Sequence, residues 1–168
     1  MSIFIFDVES DGLYGEGFAF GALVMDAEGN EIASAEACCM EGVQNEWVRE
    51  NVLTHIGDMP MVSSRAEVRR LFWKFYMQWK DKCHVFGDVI YPVEAEFMRQ
   101  CVTENNAVWD GPFPLLDVSS VMLSCGYDPL TDGKEFTGIT GDTHHPLFDA
   151  RISARKLLRL MREGKLQL

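Results

Sequence analysis

The chain has 168 residues, 47% of them hydrophobic, and a formal net charge of −11. That is enough for one domain with a real core, and it argues against disorder. The acidic balance excludes tight non-specific binding to long polyanions, because few phosphates can be neutralised; short single strands, nucleotides and metal ions stay open.

No apolar run approaches the roughly 20 residues of a membrane helix. The first residues lack the basic start and small-residue cleavage site of a signal peptide. The five cysteines form no CxxC pair, and Cys38 and Cys39 are adjacent, which suits neither a disulfide framework nor a zinc site. The expectation is reduced thiols and a cytoplasmic protein without a membrane partner.

Residues 3–6 form a continuous apolar run, as in a central strand covered on both faces. Residues 17–25 and 31–39 read as two further strands, and Asp26–Asn30 has the turn chemistry that makes them a hairpin. Residues 44–56 read as a helix, ended by a break at Gly57–Pro60. Ser64 and Glu67 have capping-box spacing. Val68, Leu71, Phe72, Phe75, Tyr76 and Trp79 follow at helical spacing and make one apolar face.

Residues 83–87 are a short strand, and Pro92 fits the first turn of a helix running to about Cys101. Residues 114–118 read as another strand. Residues 142–160 read as a loop entering a helix that ends near Gly164. Three strands followed by alternating helices and strands indicate a single α/β domain with a mixed sheet over residues 1–168.

The charged residues of FDVESDGL, Phe6 to Leu13, stand directly after the first apolar run. Side chains alternate along a strand, so Asp7 and Glu9 point the same way. Two carboxylates on one side of a strand repel, and a divalent cation with oxygen ligands resolves that repulsion. A lone D-x-E also occurs at solvated strand ends. Ser10–Leu13 then forms a tight polar turn whose backbone can approach a substrate. Near the other end, HHPLFDA places His144 five residues before Asp149, which falls in the first turn of a helix.

FDVESDGL and the H-x4-D-A stretch resemble the first and third motifs of the DEDDh 3′→5′ exonucleases, and PLLDV is similar to the strand between their second and third motifs. FGDVIYPVEAEFM looks most like the small stand-alone exoribonucleases around RNase AS. The second motif departs from the pattern. Asp88 matches its strand-end position, whereas Glu94 matches the helix, with Phe97 and Met98 at the expected offsets.

The resemblance implies an RNase H-like mixed β-sheet flanked by helices, hydrolysing phosphodiesters with two Mg2+ or Mn2+ ions. It implies Asp7, Glu9, Asp149 and either Asp88 or Glu94 as metal ligands, and His144 as general base. Ser10, Gly12 and Leu13 would meet the substrate, a single-stranded RNA 3′ end, and release nucleoside 5′-monophosphates. A homodimer is implied as well. DNA is the alternative substrate, and a catalytically silent binding domain is the reading from another class. His145 competes with His144 for the base role, while His55 and His84 have no supporting context. Phe18, Phe20 and Phe148 are stacking candidates for which core packing is the plainer role.

Overall fold

The computed structural model describes residues 2–141 and 143–168. Its elements are β1 (Ser2–Ser10), β2 (Gly17–Met25), β3 (Glu31–Cys38), α1 (Glu46–Asn51), α2 (Arg65–Trp79), β4 (Cys83–Gly87), α3 (Val93–Glu104), β5 (Leu116–Asp117), α4 (Val118–Ser124), α5 (Gly133–Thr137) and α6 (Pro146–Arg162). The sheet order is β3-β2-β1-β4-β5. The β1–β2 and β2–β3 pairs are antiparallel, and β1–β4 and β4–β5 are parallel, so the sheet is mixed.

The local signals act as expected at the hairpin and at α2. The Asp26 carboxylate accepts from the backbone and side-chain N–H groups of Asn30. Ser64 Oγ accepts from the Glu67 N–H, while Glu67 reaches back to the backbone and hydroxyl of Ser63. Four elements differ from the sequence reading. The 44–56 helix is six residues long, capped by Asn45. The 114–118 strand keeps only Leu116 and Asp117, because the Asp117 carboxylate accepts from the Ser120 N–H and starts α4. Asp132 likewise caps the short α5. Both α4 and α5 escaped the sequence reading, since neither is long enough to show a helical period. Asp142 of the predicted loop lies outside the described residues.

Alternation along β1 divides the core. Phe4, Phe6 and Val8 pack on the side of α2 and α3, with Phe72, Tyr76 and Phe97. Ile3 and Ile5 pack on the other side, with Leu147, Ala150, Ala154 and Leu157 of α6. Asp7 and Glu9 share the parity of Ile3 and Ile5, so they continue that second stripe towards the start of α6. Phe18 and Phe20 are fully buried and belong to the core.

Two backbone features place the end of β1. Gly21, paired with Asp7, has no side chain, and a Cβ there would lie 2.0 Å from the Leu147 nitrogen. The glycine therefore lets the first turn of α6 press onto the sheet beside Asp7. On the opposite edge of β1, the described pairing with β4 runs over Ser2–Ile5, so the last residues of β1 run past their parallel neighbour. Among the described residues, no helix is long and apolar enough to cross a membrane.

Candidate active site

Asp7 and Glu9 from β1 meet Asp149 from α6, each offering an oxygen within 4.8 Å of the others. The approach depends on the loop before α6. His144 adopts a left-handed backbone, φ +67°, and its N–H donates to Asp149 Oδ2 at 2.7 Å. That bond fixes the carboxylate in the first helical turn, where the backbone dipole also favours negative charge.

Gathering these groups without a matched set of cations is costly. Burial first, then the charges of Glu94, Glu9, Asp149 and Asp88, push the Asp7 carboxyl well above its usual range. Burial and the Asp149 charge lift Glu9 to about 8. Burial lifts Asp149 to about 6, against the opposing pull of the His144 N–H and of Lys134 and Lys156. Convergent carboxylates that resist ionisation alone are a fitting donor set for hard divalent cations, which stabilise the ionised forms.

The two second-motif candidates lie in different environments. Glu94 is buried, and its Oε1 accepts from the Val8 N–H at 3.2 Å, the donor that β1 exposes beyond β4. Burial raises its carboxyl to about 8, with the charges of Glu9 and Asp88 adding to the effect. Asp88 instead accepts from Ser119 Oγ at 2.6 Å, Ser153 Oγ at 3.0 Å and Lys156 Nζ at 2.7 Å. Both of its oxygens are taken, and the network joins the end of β4 to α4 and α6. Lys156 is itself buried. Glu94 also heads the charges that act on Asp7, ahead of Asp88.

The His144 imidazole is partly exposed, with Nδ1 3.7 Å from Glu9 Oε1. Burial, then the neighbouring His55, lowers its pKa and favours the neutral ring. Trp47 meets it edge-on at 5.8 Å between ring centroids, and His55 lies at 6.3 Å. His145 points elsewhere, with Nε2 3.9 Å from Glu36 on β3. His84 sits in β4, paired with Ile3.

The turn after β1 is shaped by its own polar groups. Ser10 Oγ donates to the Gly12 carbonyl, and Gly12 takes φ +84°. The Asp11 carboxylate accepts from the Gln44 and Asn45 N–H groups, which ties this turn to the entry of α1. A cleft of about 400 Å³ results, lined by Glu9, Ser10, Gly12, exposed Leu13, Asn45 and exposed Trp47. Sequence reasoning missed Trp47, His55 and Lys156. Each acts through contacts far along the chain, and no local pattern marks them.

No known protein family and no curated protein matches the chain by sequence. Solved structures match its fold. One is E. coli Exonuclease I in complex with a dT13 oligonucleotide, at TM-score 0.60 and 18% identity over 97% of this chain and 42% of that one. Another is an ExoI/SSB-Ct complex, at TM-score 0.59 and 18% identity over 98% and 42%. The chain thus spans less than half the length of these neighbours. With the sheet order and flanking helices, the likeness establishes an RNase H-like α/β fold.

Proposed function

We propose that the protein is a metal-dependent 3′→5′ exonuclease of the DEDDh type, removing nucleoside 5′-monophosphates from single-stranded ends. The observation that carries this reading is the convergence of Asp7, Glu9 and Asp149 within 4.8 Å. Those three residues and Glu94 would hold the divalent ions, Mg2+ or Mn2+. When bound, such ions activate a water as nucleophile and neutralise charge developing on the phosphate and leaving oxygen.

The remaining work falls to the chain's own groups. His144, kept neutral by burial and by His55, takes the proton of the attacking water. Its backbone N–H holds Asp149 in place. Gly12, with the turn braced by Ser10, brings backbone close to the terminal nucleotide, and exposed Leu13 presses against its base. Trp47 and Leu13 shelter the cleft beside Glu9. Asp88 is assigned to support: it anchors Lys156 and α6.

RNA follows from the resemblance of the motifs to RNase AS and its relatives, and a homodimer comes from the same source. DNA is favoured by one observation, the fold shared with an exonuclease bound to a dT13 oligonucleotide. Matched 5′-labelled RNA and DNA single strands, incubated with Mn2+, Mg2+ or EDTA, test both. The expected result is a ladder shortened from the 3′ end only when metal is present, with relative rates on the two strands choosing the substrate. Binding of either strand without any metal-dependent shortening would overturn the reading.

A further inference from the structure

A cleft of about 820 Å³ lies between α5, α6 and the facing ends of β2 and β3, and it shares no lining residue with the carboxylate site. That volume falls in the range of small-molecule sites. Arg151, Arg155, Arg159 and Arg162 of α6 line it, spaced so that they stand on one side of the helix. A chain of net charge −11 has gathered four of its cations here.

Two of the four are matched. Arg151 gives Glu31 two hydrogen bonds, of 2.9 and 3.0 Å. Arg159 donates to Glu163 and to the Phe136 carbonyl, and its guanidinium lies 4.1 Å from the centre of the Phe136 ring. Among the described residues, Arg155 and Arg162 make no ion pair and no side-chain hydrogen bond. Arg155 acts on Glu31 only as a more distant charge, and the third carboxylate of the cleft, Glu135, pairs with neither arginine. Yet the two converge. Arg155 Nη1 and Arg162 Nη2 lie 3.8 and 3.6 Å from the one point above Gly29 where a side chain would begin.

Two guanidinium groups brought to one point repel unless an anion lies between them. The donors decide which anion. Each guanidinium offers a planar fork of N–H groups, and a carboxylate has oxygens for one fork. A terminal phosphate has three free oxygens and a charge near −2 at pH 7, enough for both. A phosphate inside a strand carries a single charge, so an end phosphate is the better match. The Arg159 guanidinium, already flat on Phe136, is half-exposed to the same cleft beside Ile139 and Leu158. Such a plane stacks a nucleobase.

We propose that this cleft is a nucleotide site separate from the catalytic carboxylates. It takes the terminal phosphate of a nucleoside monophosphate between Arg155 and Arg162, and the base on the plane of Arg159. Neither a metal ion nor the carboxylate cluster takes part, so the site stands apart from the nuclease reading. Under that reading, the product released at the carboxylates is itself of this class.

The test is isothermal titration of the full chain, stripped of metal and free of chelator. The ligands are AMP, adenosine, inorganic phosphate and a hexanucleotide with or without a 5′-phosphate. AMP is expected to bind at one site, more tightly than adenosine or inorganic phosphate by about 10-fold or more, as for loss of hydrogen bonds to a charged group. Arg155→Met and Arg162→Met each remove one guanidinium from the exposed side of α6. Their melts should match the wild type while AMP affinity falls by a similar factor, and Glu135→Gln should raise that affinity. No saturable AMP binding, or an affinity untouched by both methionine variants, overturns the proposal. Adenosine bound as tightly as AMP overturns the phosphate contact, and inorganic phosphate bound as tightly overturns the base contact. Displacement of AMP by the 5′-phosphorylated strand alone upholds the site with a strand end as its source. Displacement by neither strand upholds it for the free nucleotide, and displacement by both alike overturns the terminal-phosphate assignment.

Discussion

The contrast between Asp88 and Glu94 yields opposite phenotypes for two carboxylates of the same neighbourhood. Asp88 faces Lys156 at 2.7 Å, with only 15% and 8% of the two side chains exposed, and two serine hydroxyls complete its contacts. Truncating one member of a buried pair leaves the other charge unmatched and costs about 3–5 kcal/mol. For a domain of this size that corresponds to a fall in Tm of about 6–20 °C. Asp88→Ala should show this loss in EDTA while Mn2+ binding persists, and adding Lys156→Met should restore part of it, because the stranded cation is removed. Glu94→Gln behaves in reverse. The amide oxygen can still accept the Val8 N–H, so the β1 contact survives. The buried charge disappears, so Tm in EDTA at pH 8 should not fall. Cleavage should drop by more than about 100-fold, beyond the loss typical of a residue that only supports a metal ligand. Thermal melts and Mn2+-dependent cleavage, run on the three variants side by side, make the comparison. Asp88→Ala with an unchanged Tm and no metal-dependent activity, beside a fully active Glu94→Gln, would refute the assignment.

The same electrostatics fix the pH dependence of the metal-free protein. Glu9 and Glu94 sit at about 8 in the folded chain against an ordinary 4.5, so their contribution to stability is present below about 4.5 and is lost as pH rises towards 8. Tm in EDTA should therefore fall between pH 5 and pH 8, and Mn2+ should flatten the slope; a Tm that climbs over that window contradicts the buried carboxylate cluster. His55 lowers the pKa of His144, so His55→Ala should move the acidic limb of the rate profile to higher pH, and a shift the other way would count against His144 as base. Gly21→Ala inserts a Cβ 2.0 Å from the Leu147 nitrogen, which should cost about 1–3 kcal/mol and, by displacing Asp149, lower activity on the order of 100-fold. Intact activity with a native melt would show that α6 need not touch the sheet there.

How much of this was legible in the chain depended on the range of each interaction. The parity of Ile3, Ile5, Asp7 and Glu9 is local, and it placed both carboxylates on one side of β1 before any partner was known. The capping pattern at Ser64 and Glu67 and the stripe from Val68 to Trp79 are local too, and α2 follows them. The strand reading of 114–118 fails at Val118, where the Asp117 carboxylate accepts from the Ser120 N–H and starts a helix instead. The choice between Asp88 and Glu94 was beyond local reading altogether. It turns on Lys156, 68 residues after Asp88, and on the Val8 N–H, 86 residues before Glu94.

The placement of Glu94 shows how a sheet's termination can create a candidate ligand. Because β4 stops pairing at Ile5, β1 leaves the Val8 N–H without a strand partner, and a buried donor of that kind demands an acceptor. Glu94 supplies it from the first turn of α3, which fixes one carboxylate oxygen and aligns the group beside Asp7 and Glu9. A glutamate meets the demand because its longer stem spans from the helix to the strand's free edge. An aspartate at the same position has one methylene less to cover that distance. Glu94→Asp should accordingly lose both the Val8 bond and most metal-dependent cleavage although the charge is kept, and amide hydrogen exchange at Val8 should speed up in step with the lost rate. If Glu94→Asp cleaves like the wild type while the Val8 amide exchanges freely, the strand-edge hydrogen bond is not what positions this carboxylate.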